Sequence, residues 1–341
     1  MEITHVGWER LPGEREEHRL TQVPIRKEII IEGGGYGGRK ARAMYILWMA
    51  KVFLRCLRLT HTDHVWALGF ESAFPAILAS KLKKFKVYFD DADRFSMIFS
   101  LPPLLRRIVE QLEAYTSRHS TYHIIPGTER YDFKSHSFYI LKNMPSEQEL
   151  DVAKGIYKSR DWPQAPVVIN INGWLGVGRG MDAALSVARA FPPSALSIIL
   201  AGKLDCQAAE DLAKLPNTHY IGHVSNAEAL ASYYASDLVL TYYDPSIRIN
   251  CLAESNKWGD AIKTGVGVIV NSEVETANYL REGGATISLP YNDHSSLIEH
   301  ISELVQNQHR KLQIKANARN LSEKFGYFEE QLTDLFNREF I

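Results

Sequence analysis

The chain has 341 residues, more than a single typical core accommodates, which predicts two domains. Hydrophobic residues make up 45% and charged residues 23%, and a formal net charge of -1 excludes the basic excess of a dedicated nucleic-acid binder, so no nucleic-acid partner is expected. Three scattered cysteines, Cys56, Cys206 and Cys251, exclude a disulfide framework or metal knuckle, and the lack of a long apolar run or a basic-then-apolar leader leads us to expect a cytoplasmic protein without a membrane span.

Residues 1–27 are polar and poor in periodicity, with Thr4-His-Val-Gly-Trp8 the only strand-like piece. Glu28 to Ile31 reads as a short strand feeding the glycine-rich run Gly33-Gly-Gly-Tyr-Gly-Gly38. Such a run can cradle phosphate, but it lacks the Lys-Ser/Thr ending of a P-loop and the dinucleotide spacing, so a mobile connection is the favoured reading. Residues 39–59 then carry Arg39, Lys40, Arg42, Lys51, Arg55 and Arg58 with no acid among them. Lys51, Arg55 and Arg58 share one helical face, opposite Tyr45, Ile46, Trp48, Met49, Val52, Phe53, Cys56 and Leu57. Two readings stay open: a helix lying on an anionic membrane surface, or a core helix with a solvated basic side.

A βαβ pattern follows, with His64 to Gly69 as strand, Ser72 to Lys83 as helix and Lys86 to Phe89 as strand, ending in Asp90-Asp-Ala-Asp93. Open parallel sheets place ligands just past the strand ends, which makes Glu71, Asp90, Asp91 and Asp93 site candidates; capping of the next helix is the alternative for an aspartate. A helix over Leu104 to Arg118 and strands at Tyr122 to Ile125 and Ser137 to Leu141 complete this half, closing with Asn143-Met-Pro145. From Pro145 the chain turns polar, through Ser159 to Pro166, and the domain boundary is placed here.

Val167 to Asn172 reads as a strand running into Gly173-Trp-Leu-Gly-Val-Gly-Arg179-Gly180 and a helix from Met181 to Phe191, a glycine-bearing loop with a cation at a helix start, suited to an anion. The alternation continues through Leu196 to Leu200 with Gly202-Lys203 at its end, a helix from Gln207, a short strand at Tyr220, a helix from Ala227 and a strand at Asp237 to Thr241. The loop Tyr242 to Asn250 delivers the chain to Glu254-Ser-Asn-Lys257-Trp-Gly-Asp260-Ala-Ile-Lys-Thr-Gly265. This reads as a helix capped by Ser255 or Asn256, stopped by Gly265 and followed by a buried strand. Lys257 and Asp260 share a face, able to hold a phosphate and a sugar hydroxyl or to form a surface ion pair. With Gly173, Arg179 and Gly202 at neighbouring strand ends, the arrangement suits a nucleotide diphosphate. A last strand at Ala285 to Leu289, helices from Ser295 and the aromatic run Phe325-Gly-Tyr-Phe328 before a final helix end the chain.

On these residues the chain resembles glycosyltransferases of the GT-B fold, specifically the family 4-like, retaining group. The resemblance is carried by Gly7-Trp-Glu-Arg10, Asp90-x-x-Asp93, Arg179-Gly180, and above all Asn256-Lys257-x-x-Asp260-Ala with Gly265-x-x-Val268. It implies an α/β fold with two Rossmann-like domains facing across a cleft, the N-terminal domain lacking its first βα unit. Residues 1–147 would form the acceptor side, with a C-terminal helix over 324–341 packing back on it, and 148–323 the nucleotide-sugar domain. Arg179 and Lys257 would hold the donor diphosphate and Asp260 the ribose, with Gly173, Gly202 and Asn256 lining the site, Glu254 a candidate for sugar contact, and Glu71, Asp90 and Asp93 the catalytic candidates. No metal and no cofactor are implied. The reaction would move a sugar from a nucleotide, a UDP-sugar by expectation, to a hydroxyl of a glycan or lipid-linked acceptor in envelope polysaccharide synthesis, at the inner membrane face with 39–59 as the contact. A non-catalytic nucleotide-sugar-binding or partner-assisting module and a sugar-nucleotide epimerase on the same fold are the alternatives. The chain departs from the group where Asp260 replaces a glutamate, Trp174 an arginine and Gly267 a proline, and where Leu252 stands at the first of two paired acids, with Glu254 two positions on.

Overall fold

Strands and helices alternate along the computed structural model, which describes residues 2–11, 13, 24–99 and 101–340; the polar segment 14–23 lies outside them. Two compact units result, one comprising Met1–Ile125 with Tyr131–Ile140, the other Pro126–Arg130 with Leu141–Ile341. Among the described residues no helix is long and apolar enough to cross a membrane.

In the first unit β1 (Ile3–Glu9) and β2 (Ile25–Glu32) pair in parallel as a two-stranded sheet. Its end is tied by the Trp8 indole, which donates to the Gly33 carbonyl at 2.8 Å. The chain continues through α1 (Gly38–Cys56), β3 (His64–Leu68), α2 (Phe70–Lys83), β4 (Lys86–Asp90), α3 (Phe95–Ile98), α4 (Pro103–His119), β5 (Tyr122–Ile125) and β6 (Phe138–Ile140). Strands β3 to β6 form a parallel sheet in sequence order, as the βαβ spacing predicts, and the core joins Trp48 and Val52 to Ile77, Val87 and Phe89.

Helix α1 differs from its sequence reading. It is apolar around more than half its circumference, so packing Ala41, Trp48, Val52 and Cys56 inward leaves Ile46, at 72% exposure, and also Leu47 and Leu54 facing solvent. Part of the expected basic face closes instead on β2: Lys51 donates to the Ile30 carbonyl, and Arg55 pairs with Glu28 at 3.0 Å.

The second unit holds α5 (Glu147–Lys158), β7 (Val167–Gly176), α6 (Met181–Ala190), β8 (Leu196–Asp205), α7 (Gln207–Ala213), β9 (Thr218–Gly222), α8 (Asn226–Tyr234), β10 (Leu238–Thr241), α9 (Arg248–Cys251), α10 (Asn256–Thr264), β11 (Gly267–Asn271), a 3-10 turn at Glu275–Ala277, α11 (Asn278–Glu282), β12 (Thr286–Leu289), α12 (His294–Gln306), α13 (Gln308–Ser322) and α14 (Phe328–Phe340). The six strands are parallel in the order β12-β11-β10-β7-β8-β9, so the winding reverses between β10 and β7. Open α/β sheets bind ligands at the carboxyl ends of strands flanking such a reversal. One core packs Ile169, Ile198, Leu240 and Ile269 against α6, α7 and α12, the other packs Val239, Val268 and Val270 against α5, α8 and α10, and both sheet faces are thereby covered.

Helix α5 occupies part of the polar stretch that the sequence reading took for a boundary. Its start is a capping box, in which Ser146 accepts from the Glu149 amide and Glu149 reaches back to the Ser146 amide. Just before it the chain is strapped on two sides. Gln331 of α14 pairs with the Lys142 backbone at 2.9 and 3.2 Å, and Gly259 of α10 approaches the Asn143 carbonyl so closely that a Cβ there would sit 1.9 Å from its oxygen.

Candidate donor site

The second unit gathers most of the predicted donor residues where β7 and β8 end. Both strands run further than their apolar patterns indicate, pairing Gly173 with Gly202, Trp174 with Lys203, Leu175 with Leu204 and Gly176 with Asp205. Gly202 makes this possible: its φ is 133°, and a Cβ there would meet the Gly173 carbonyl oxygen at 1.8 Å. At Gly173 the missing side chain admits a cation, because the Lys257 ammonium lies 3.4 Å from where a Cβ would be. The turn beyond β7 carries Arg179, whose guanidinium carbon sits 4.7 Å from the Tyr243 ring centroid and 5.5 Å from that of Trp174.

Helix α10 supplies the other side. It begins at Asn256 after Ser255, whose hydroxyl makes no capping bond, and its first turn carries no acid. Uncapped amides with Lys257 in this first turn are a positive helix end suited to an anion. Asp260, three residues on along the same helix face, is half-buried. Desolvation pushes its carboxyl up to about 7, Lys257 opposing and Glu149 adding to the rise, and its charge in turn raises the buried Tyr233 phenol, which desolvation has already lifted. Gly173, Gly202, Arg179, Lys257 and Asp260 are thus drawn together, with Asn256 exposed at the rim.

Glu254, just before α10, has partners of its own. Its carboxylate is buried and pairs with Lys142 at 3.2 Å, while its carbonyl accepts from the Asn143 side-chain amide at 3.0 Å. Burial pushes this carboxyl up to about 7 against the pull of Lys142. Leu252 is buried too, its carbonyl accepting from Arg130 at 2.7 Å.

The acceptor-side candidates lie in the first unit. Glu71 opens α2 behind Gly69, whose φ of 75° and absent Cβ leave room for the carboxylate; desolvation raises it, Arg10 lowers it and Asp91 raises it further. Asp90 ends β4, accepts from the Trp66 indole at 3.0 Å and is raised by desolvation, while Asp93 is exposed. The buried member of the run is Asp91, which accepts from the Tyr131 hydroxyl at 2.7 Å and lies 3.5 Å from His123, itself bonded to Ser117. Arg94, equally buried, holds Glu113 and Asp132, so Asp91 and Arg94 brace the loop while Asp90 and Glu71 keep reachable carboxylates. Sequence reasoning gave Arg10 no role of its own. Its guanidinium sits over Trp8 at 4.2 Å, Tyr45 at 5.0 Å and Tyr36 at 5.4 Å and donates to the Tyr45 hydroxyl; the signal was the Gly-Trp-Glu-Arg element itself.

No protein-family model and no curated protein matches the sequence. Solved structures do. HepE from Anabaena, in complex with UDP, matches at 12% identity and a TM-score of 0.66 over 92% of this chain and 85% of that one, and is also solved with UDP-glucose. A trehalose-6-phosphate synthase studied for glycosyl transfer with retention matches at 11% identity and 0.67, covering 99% and 93%. WaaG, a glycosyltransferase involved in lipopolysaccharide biosynthesis, matches at 13% identity and 0.55 over 98% of each chain. The chain therefore has the fold of the GT-B glycosyltransferases.

Proposed function

We propose that the protein is a glycosyltransferase that takes a sugar from a nucleoside-diphosphate donor and transfers it to an acceptor hydroxyl. The observation that carries this reading is the Lys257 ammonium over the side-chain-free Gly173 at the uncapped start of α10, with Arg179 in the turn beyond the same strand. Expelling a nucleoside diphosphate develops negative charge on the leaving oxygens, and fixed cations and helix amides stabilise it in place without reorganising. Asp260, ionised, accepts the ribose hydroxyls. A uridine donor is supported by the UDP and UDP-glucose bound in HepE, and retention by the work on trehalose-6-phosphate synthase.

The acceptor reading is a glycan or lipid-linked hydroxyl in envelope synthesis, with Glu71 and Asp90 as the carboxylates able to meet it and Asp93 at the edge. It is supported by the exposed Ile46, Leu47 and Leu54 on a helix without acids, a surface suited to an anionic membrane. A second reading, a donor-binding module without turnover, is favoured by one observation: Leu252 stands where the resembling group has its first paired acid, and the carboxylate of Glu254 is engaged with Lys142.

The test is a panel of labelled nucleotide sugars with and without membranes. Transfer or slow donor hydrolysis supports the enzyme, binding without either supports the module, and the absence of any binding refutes both. Lys257→Ala should remove donor binding with an unchanged melting temperature; an unchanged donor affinity removes Lys257 from the site.

A further inference from the structure

We infer that Trp174 is the platform on which a ring of the donor stacks, and hence a specificity-determining residue of the site; this rests on the donor-site reading above. In many members of the resembling group this position carries an arginine able to bind phosphate, and an indole cannot take over that task. What it offers instead is a flat apolar face.

The surroundings of Trp174 hold such a face in place. Its indole N–H donates to Asp205 at 2.6 Å, and Asp205 is held in turn by Lys203 at 3.1 Å. Together these partners pull the Asp205 carboxyl below its usual range, the Trp174 bond being the largest cause. Gly176 closes one side: a Cβ there would lie 2.4 Å from two indole carbons, so only glycine lets the ring come this near the backbone. With its one polar side-chain atom satisfied and one side of the ring against Gly176, the residue is still 50% exposed. A tryptophan whose ring is fixed by its indole bond and by the close approach of Gly176, yet is left half in water, is a preformed stacking surface.

Its position names the ligand class. Trp174 follows Gly173, the residue that admits Lys257, and its ring lies 5.5 Å from the Arg179 guanidinium. A diphosphate gripped by Arg179 and Lys257 brings an attached ring within reach of the indole. That ring is the nucleobase or the transferred hexose, each of which has a face able to stack on an aromatic.

Calorimetric titration of the full-length protein with UDP, UDP-glucose, GDP and GDP-mannose tests this. Trp174→Ala should weaken the best ligand by about tenfold to a hundredfold. Trp174→Phe, which keeps a ring and gives up the Asp205 bond, should stay within about threefold of wild type. Equal loss for the free diphosphate and its sugar conjugate assigns the nucleobase, and loss confined to the conjugate assigns the sugar. Unchanged affinity in Trp174→Ala, or a Phe variant as weak as the Ala variant, overturns the inference while leaving the donor-site reading intact. Failure of the wild-type protein to bind any of the four overturns that reading, and the inference falls with it.

Discussion

Replacing Glu254 by glutamine should make the protein more stable relative to wild type as the pH rises, which is the reverse of what deleting an ion pair usually does. The Glu254 side chain is 2% exposed, and burial pushes its carboxyl from its usual 4.5 up to about 7 even with Lys142 at 3.2 Å. A raised acid binds its proton more tightly in the folded chain than in the unfolded one, so its contribution is fully present below pH 4.5 and is lost as the pH climbs through about 7. The full span is worth about 3 kcal/mol, and glutamine, a stand-in for the protonated acid, does not carry it. Urea unfolding of both proteins at a series of pH values reads the difference directly, because every other titrating group cancels between them. The Gln variant should gain on wild type by up to about 3 kcal/mol between acid and mildly alkaline pH. Parallel stability curves, or a gap that moves the other way, would refute the idea that desolvation outweighs the Lys142 attraction here.

The same sign governs the donor site at Asp260, whose carboxyl is pushed up to about 7. Ribose hydroxyls donate to the ionised form, so UDP affinity should fall by up to about tenfold per pH unit below that value, and Asp260→Asn should flatten this dependence; an identical slope in both proteins removes Asp260 from the ribose contact. For the membrane surface, the triple change of Ile46, Leu47 and Leu54 to serine should abolish flotation with phosphatidylglycerol vesicles, each side chain contributing about 1.5–3 kcal/mol when buried in the bilayer interface. Equal flotation of the two proteins would count against that face. Charge reversal at Lys51 and Arg55 is the poorer test, since both are tied to β2 and their loss would disturb the sheet.

The parts legible in the sequence were those with a local signal. The βαβ alternation from His64 to Phe89 and from Val167 to Thr241 carried the parallel sheets, and the run from Asn256 to Gly265 showed its helix and its glycine stop, with Lys257 and Asp260 three residues apart on it. What escaped depended on partners distant in the chain. Strand β7 continues to Gly176 because Gly202 on β8 has no side chain to obstruct Gly173, a pairing invisible in an apolar pattern that ends at Asn172. Among the aspartates after β4, spacing could not tell that Asp91 would be buried by Tyr131 and His123, while Asp90 stays at a strand end and Asp93 in solvent. Helix α5 is the one omission with a readable cue, since Ser146 and Glu149 stand at capping-box spacing within a segment dismissed for its polarity.

The donor helix also depends on a contact that no motif encodes. Gly259 sits in the middle of α10, where glycine costs about 1 kcal/mol relative to alanine, so an ordinary helix would be stabilised by Gly259→Ala. Here the added methyl would land 1.9 Å from the Asn143 carbonyl oxygen and 3.0 Å from the Met144 α-carbon, both backbone atoms. They are held by the Gln331 pairing with Lys142 and by the Asn143 amide on the Glu254 carbonyl, so they have little freedom to retreat. Overpacking a constrained site costs about 1–3 kcal/mol against a propensity gain of about 1 kcal/mol, and because both clashing atoms are backbone the upper part of that range applies, so net destabilisation of up to about 2 kcal/mol is expected. Because Lys257 and Asp260 flank Gly259, relief of the clash by a shift of α10 should also weaken UDP binding, whereas relief by Asn143 alone should leave it unchanged. Thermal melts and UDP titration on one preparation separate these routes. A variant more stable than wild type would mean that the close approach between α10 and the segment at Asn143 does not exist.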